Sequence, residues 1–233
     1  MKCPSKTDYG DCKIFAFWAN FNSHYGRIFY HMVEKSTNHF KIVALYRTDY
    51  TASLHVRAMA KLLDSSHVTL LPHLERLEQL KILQSEKIGR NKQYLLSKAN
   101  ILTKYYLTAT EQLTTINYLE KNFLIKKLAE HLNSIDTPNP LILFGSYAKN
   151  YATEESDIDL FCIGKLTENQ LSHIKKFEAT YGKKVNLKTA TTENFNAALR
   201  TGDILIKEIV RNHIILQNAD PFVTLLWRYY NER

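Results

Sequence analysis

Residues 141–163 read LILFGSYAKNYATEESDIDLFCI, and this stretch decides the fold of the C-terminal half of the chain. Leu141 to Phe144 is an unbroken apolar run, the pattern of a buried strand. Gly145-Ser146 follows at once, and Tyr147-Ala148-Lys149 can start a helix. A strand that passes through glycine into a helix start turns backbone N–H groups and a serine hydroxyl toward whatever lies above them, which favours a phosphate. Ten residues separate Ser146 from Asp157-Ile158-Asp159, which opens a second apolar run through Ile163. Residues two apart on a strand share a face, so Asp157 and Asp159 project together while Ile158 and Leu160 point into the core. Two adjacent carboxylates repel each other, and a divalent cation removes that penalty. Hard oxygen ligands with room for substrate phosphates suit Mg²⁺. A phosphate cradle beside a carboxylate pair is equipment for in-line transfer at phosphorus.

The pattern Gly145-Ser146, ten residues, Asp157-x-Asp159 resembles the DNA polymerase beta-like nucleotidyltransferase superfamily, in the minimal form found with prokaryotic toxin–antitoxin and regulatory proteins. The likeness covers about residues 139 to 216. It implies a small mixed sheet backed by helices, Mg²⁺ at Asp157 and Asp159, and a nucleoside triphosphate, ATP first among them, held by Gly145 and Ser146. Lys149 stands where the family often places a basic residue, and the resemblance assigns it to phosphate. The family's third carboxylate, on a neighbouring strand, corresponds here to Asn186 in GKKVNLKTA. An asparagine can offer a metal its neutral carbonyl oxygen, but it adds no negative charge and cannot accept a proton from an attacking hydroxyl. Transfer should therefore be slowed if Asn186 is the equivalent residue.

Upstream, residues 40–97 follow another pattern. Residues 41–46 read as a short helix and 53–56 as a short strand. RAMAKLL, residues 57–63, is a compact helix. Ser65-Ser66 supply cap hydroxyls for a second helix to about Leu80, with Leu70, Leu74 and Leu77 on one face. ILQSEKIGRNKQYLLS then reads as two strands around the basic turn Gly89-Arg90-Asn91-Lys92. The order resembles a winged helix-turn-helix, whose second helix enters the major groove while the wing meets phosphate. That likeness implies DNA contacts from His67, Thr69, His73 and Arg76, with Lys87, Arg90 and Lys92 on the backbone. Pro72 interrupts the second helix and predicts a kink or a delayed start.

Residues 98–138 are expected to be a helical connector, one long helix or a pair. Ile101, Tyr105, Leu113, Ile116, Leu119, Phe123, Leu128 and Leu132 serve as its packing residues. Thr137-Pro138-Asn139-Pro140 closes it, and residues 139–233 form the transferase-like domain. Two more helices are expected at about 203–216 and 221–230. Residues 1–39 form an atypical extension rich in Phe, Tyr and His, and Met32 is a candidate physiological start.

Composition sets the outer limits. With 45% hydrophobic and 23% charged residues, and only 7 Gly and 5 Pro, the 233-residue chain reads as an ordinary helix-rich α+β globular protein. Its 31 Lys+Arg against 23 Asp+Glu give +8, which suits a polyanionic partner. Cys3, Cys12 and Cys162 form neither a disulfide framework nor a metal cluster, so a reduced cytoplasm is the default. No apolar run approaches the roughly 20 residues of a membrane span. Two functions compete. One is a Mg²⁺-dependent nucleotidyltransferase moving a nucleoside monophosphate to a hydroxyl of a protein, an RNA or a small molecule. The other is a catalytically weakened, NTP-binding and DNA-binding regulator or antitoxin. A helical toxin-like protein and a second copy of the chain are the protein partners these readings imply.

Overall fold

The computed structural model describes residues 38–89, 91–133 and 137–232, and residues 40–233 pack as one unit. The candidate start Met32, with the rest of residues 1–37, and the wing residue Arg90 lie outside the described residues.

In the N-terminal part, a helical turn at 40–44 leads to β1 (Leu54–His55), α1 (Val56–Leu62) and α2 (His67–Gln79). The hairpin β2 (Leu83–Ile88) and β3 (Asn91–Leu96) follows, in a three-stranded antiparallel sheet of order β1-β3-β2. Ser66 caps α2 by accepting the Thr69 N–H at 3.0 Å, and Leu70, Leu74 and Leu77 are buried beneath it. Pro72 does not end the helix. Pro72 and Val68, the residue one turn earlier whose carbonyl loses its usual N–H partner, both lie on the exposed side of the helix.

The middle is a helix pair, α3 (Ile101–Lys121) and α4 (Phe123–Leu132), with Asn122 as the break. Leu128 and Leu132 are fully buried, as their spacing predicts. Of the α3 residues assigned to packing, Leu119 is partly buried against the core and the others are exposed. Ile101, Tyr105 and Ile116 are 56%, 59% and 52% exposed, Leu113 37%, and Phe123 at the start of α4 71%. The face of α3 that packs inward carries Thr103, Leu107, Thr110, Glu111, Thr115 and Tyr118. Threonine can be buried there because its hydroxyl returns to a carbonyl: Thr110 donates to Tyr106 O at 2.7 Å, and Thr115 donates to Ile215 O at 3.0 Å.

The C-terminal part builds a four-stranded mixed sheet of order β6-β5-β4-β7 from β4 (Leu141–Phe144), β5 (Ile158–Ile163), β6 (Val185–Ala190) and β7 (Ile214–Gln217). β5 and β6 are parallel, joined by α6 (Glu168–Tyr181), and the other pairs are antiparallel. The sequence predicts a helix to about residue 216, but Ile214–Gln217 is an edge strand. Helix α8 (Ile204–Arg211) ends at Asn212, and the β-branched Ile214-Ile215 pair with β4 instead. With α7 (Thr192–Thr201) and α9 (Ala219–Asn231), α8 covers one face of the sheet through Ile142, Phe144, Phe161, Phe195 and Phe222. The N-terminal elements join the same cluster. α4 and α6 cover the other face through Leu141, Leu143, Ile158, Leu160, Leu128 and Phe177. β4 and β5 are thus buried on both sides. Among the described residues no helix is long and apolar enough to cross a membrane.

One buried charge group ties these parts together. Glu111 on α3 is fully buried, and the Arg47 guanidinium donates to its carboxylate at 2.6 to 3.2 Å. Arg47 also donates to His213 O at 2.9 Å, while the His213 ring meets Glu111 Oε1 at 3.1 Å. Burial pushes the Glu111 carboxyl up, but His213 and Arg47 together more than offset this and hold it at about 2, below its ordinary 4.5. A carboxylate depressed in the folded state stabilises fully above its unfolded value and loses that stabilisation as pH falls toward its folded value. Stability should therefore decline from about pH 4.5 toward pH 2. Glu111→Gln should lower stability by about 3–5 kcal/mol at neutral pH, because it strands a largely buried Arg47, and should flatten that acid limb. Urea titrations across pH measure both. A Gln variant with wild-type stability at pH 7 contradicts the assignment.

Candidate active site

β4 delivers the chain to Gly145, and β5 begins beside Asp157, so the strand pair itself brings the two sequence motifs together. Phe144 lies opposite Asp159 in the antiparallel register. Gly145 continues past that point with φ +70 and opens the four-residue helix α5 (Gly145–Ala148). Glycine is required there for two reasons. A side chain is disfavoured at that φ, and a Cβ would stand 2.3 Å from Asp159 Oδ2. The turn and the carboxylate are therefore in direct contact. Ser146 follows on the half-buried start of α5. Tyr118 on α3 donates its hydroxyl to Tyr147 O at 2.7 Å, which steadies the helix from behind. Burial pushes that hydroxyl up to about 12, so it remains a protonated donor at neutral pH.

The parallel pairing of β5 with β6 sets Asn186 directly beside Asp159. The Asn186 amide nitrogen donates to Asp157 Oδ2 at 3.2 Å and to Asp159 Oδ1 at 3.3 Å. Asp157, Asp159 and Asn186 thus form one half-buried cluster, with both carboxylates converging on a single amide. Asn186 occupies the position that the sequence reading gave it, and its NH₂ group bridges the pair. Sequence reasoning missed Lys184. Two residues before Asn186, it shares that face of the chain, and its ammonium lies 3.3 Å from Asp157 Oδ2. The spacing Lys184-x-Asn186 is the signal that could have found it.

The donor chemistry fits a hard divalent cation at this cluster. Two carboxylates meet where one small group now sits, and a half-turn of the Asn186 side chain would present its oxygen in place of its NH₂. Among the described residues no group of three or more His, Cys, Asp or Glu side chains could hold a metal, so the acidic character of the cluster rests on Asp157 and Asp159.

Lys149 is not directed at the aspartates. It is ion-paired with Glu208 of α8, and its ammonium stands 5.7 Å from the centre of the Tyr151 ring. An open cleft of about 590 Å³ runs beside the end of α5, lined by Tyr118, Lys121, Ala148, Asn150 and Arg211 among others. Neither aspartate lines it, so the cleft adjoins the cluster without containing it.

The residues expected to meet DNA lie elsewhere, on α2 and the hairpin. His67, Thr69 and Arg76 are exposed and His73 is half-buried. Thr69 takes part in the cap, 2.8 Å from the Ser66 hydroxyl, and Arg76 donates to Gln79 Oε1 at 3.3 Å. Lys87 is exposed on β2. Lys92 is bound to Glu78 at 2.7 Å and lies over the Tyr94 ring.

The family described as "Nucleotidyltransferase domain" matches this chain over residues 125–215, which holds most of α4, the Gly145 turn and the Asp157/Asp159/Asn186 cluster. A protein of Methanocaldococcus jannaschii that carries the provisional name of a protein adenylyltransferase is 33% identical over 101 residues. That match covers 40% of this chain and 65% of the relative's own length. A solved toxin–antitoxin structure with AMP-PNP aligns with 17% identity over 46% of this chain and 86% of that one, at a TM-score of 0.31.

The close approach of turn and carboxylate can be tested alone. Gly145→Ala should cost about 1–3 kcal/mol, from the strained φ and from displacing Asp159. In an Asp159→Ala background the same change should cost measurably less, because only the strain remains. Thermal denaturation of the four variants closes the cycle. Strictly additive losses would show that Gly145 and Asp159 do not touch.

Proposed function

We propose that residues 139–233 are a magnesium-dependent nucleotidyltransferase that moves a nucleoside monophosphate from a triphosphate, ATP first, to an acceptor hydroxyl. The observation that carries this reading is the contact of the Gly145 turn with Asp159, with Asn186 bridging Asp157 and Asp159. The family match over the same residues supports it. The name of the archaeal relative favours an adenylyl donor and a protein hydroxyl as acceptor.

In this reading Ser146 and the backbone N–H groups of the turn hold the triphosphate. Mg²⁺ at Asp157 and Asp159, with Asn186 as a neutral ligand, would screen the negative charge of the phosphates. The acceptor oxygen forms a bond to the α-phosphorus, the bond from that phosphorus to the bridging oxygen breaks, and pyrophosphate leaves. The acceptor's proton needs a base. Asn186 cannot take it. Asp157 is paired with Lys184. In this reading Asp159, which also helps to hold the cation, takes that proton. The residues that line the cleft beside α5, Lys121 and Arg211 among them, give a further cationic wall for the substrate.

A second reading rests on Asn186. With an amide in the third position, the same site would bind nucleotide and turn over slowly, and the chain would act as a regulator or antitoxin. Residues 40–97 are its DNA-binding part in this reading. The order β1-α1-α2-β2-β3 and the Ser66-capped helix with exposed His67 and Arg76 support a winged helix-turn-helix there. Residues 98–138 are then the connector, and a helical toxin-like protein is the natural acceptor or partner.

Incubation with α-labelled ATP, Mg²⁺ and candidate hydroxyl acceptors separates the two. The transferase reading expects label to appear on an acceptor, to vanish in Asp159→Ala, and to rise about tenfold or more in Asn186→Asp, as an added charged ligand restores lost attraction. Nucleotide binding without transfer in both the wild type and Asn186→Asp, together with salt-dependent binding to DNA, would favour the regulator.

A further inference from the structure

The outer face of α3 presents an interaction surface that the proposed chemistry does not use. We propose that it pairs with the same face of a second copy of this chain, so that the protein is a dimer built on α3. Leu102, Tyr105, Ala109, Gln112, Ile116 and Leu119 follow one another along α3 at alternating steps of three and four residues, and Phe123 lies just past the Asn122 break at the start of α4. That alternation is the a/d seam of paired helices, sustained over about two and a half heptads. The opposite face of α3, carrying Leu107, Thr110, Glu111 and Tyr118, is already buried in the chain's own core. Most of the seam instead lies in water, with Tyr105 59%, Ile116 52% and Leu102 44% exposed, while Leu119 at its end is partly buried against the chain's own core; Ile101, Leu113 and the exposed Phe123 widen the surface.

Size and charge both fit a self-association. Together the exposed side chains leave on the order of 500 Å² of contiguous apolar surface, near the upper end of what a monomer shows. Laying the face on its copy would bury roughly 1,000–1,500 Å² in total, which is what a specific interface needs. All six seam positions on α3 are uncharged, and Glu120 is the one charged residue at the positions that flank them. Charged flanking positions set the choice of partner when paired helices discriminate. A seam flanked by a single charge gives an acidic or basic partner helix little to answer. It also lets two chains of net charge +8 approach through a neutral strip. Gln112 is the single polar residue of the seam. It sits at the middle, where a polar group fixes register and oligomer state by meeting its counterpart.

The experiment is sedimentation velocity on the full chain from below to well above micromolar concentration, with Ile116→Glu beside the wild type. The expected result is a wild-type dimer and an Ile116→Glu chain whose dimer dissociation constant rises by on the order of a hundredfold or more. Its circular dichroism and melting curve, measured at a concentration where both chains are monomeric, should be unchanged, because residue 116 lies outside the monomer's core. Ile204→Glu, at an exposed apolar position on α8, serves as the control and should remain a dimer. A monomeric wild type overturns the proposal, whether the seam stays in water, is covered by residues 1–37, or is reserved for a different protein. A dimer indifferent to Ile116→Glu overturns it equally.

Discussion

The contact between Gly145 and the Asp159 carboxylate is the constraint on which the rest of the site depends. It exists because β4 and β5 are antiparallel neighbours in the interior of the sheet, with Phe144 opposite Asp159. Both strands are buried on two faces, so their register is fixed by packing and cannot slip without exposing a full row of apolar side chains. A site built from backbone register in this way is rigid before any ligand arrives. The polar groups at its rim can then differ while the frame holds.

The frame extends through α3. This helix touches β7 through Thr115, touches α5 through Tyr118, and holds Arg47 and His213 through Glu111. A helix that bears on both an edge strand and the phosphate-type turn couples the N-terminal elements to the transferase-like sheet. Its inner face is polar because its task is to connect loop and strand ends, whose carbonyls and cations need partners. Leucines there would leave those groups unsatisfied. The exposed apolar seam is the counterpart: the inner face keeps Leu107 and Tyr118 among its polar residues, and most of the other large hydrophobic residues of α3 are gathered on the outer one.

This division explains what the sequence disclosed and what it hid. The Gly-Ser turn, the shared face of the aspartate pair and the buried triplet Leu70, Leu74 and Leu77 follow from short-range rules, namely strand alternation, helical spacing and the conformational freedom of glycine, whereas Asn186 is reached only through the family resemblance. The inner face of α3 violates the premise that apolar periodicity marks the core. Reading that periodicity correctly identified a helix and gave it the wrong side. β7 was missed because Ile214-Ile215-Leu216 is too short a run to distinguish from the end of α8 by pattern alone. Lys184 and the Glu208 partner of Lys149 were invisible for a different reason, since ion pairs across elements depend on which surfaces the fold brings together.

The charge balance of the cluster bears on how the site works. Two carboxylates face one ammonium from Lys184 and a neutral amide from Asn186, so the four side chains carry a net charge of about −1. A set with a third aspartate in place of the asparagine would carry one more negative charge within a few ångströms of any bound cation. Each such interaction is strong even at the effective dielectric of a protein surface. Lys184 is largely exposed and can swing away, so its opposition is conditional. Asn186, fixed in the strand register beside Asp159, cannot. On the proposed function, such a cluster suits one dication better than two. A triphosphate that arrives with its own Mg²⁺ would then bring the cation to the carboxylates and its phosphates to the Gly145 turn, so that nucleotide and metal binding would be a single event.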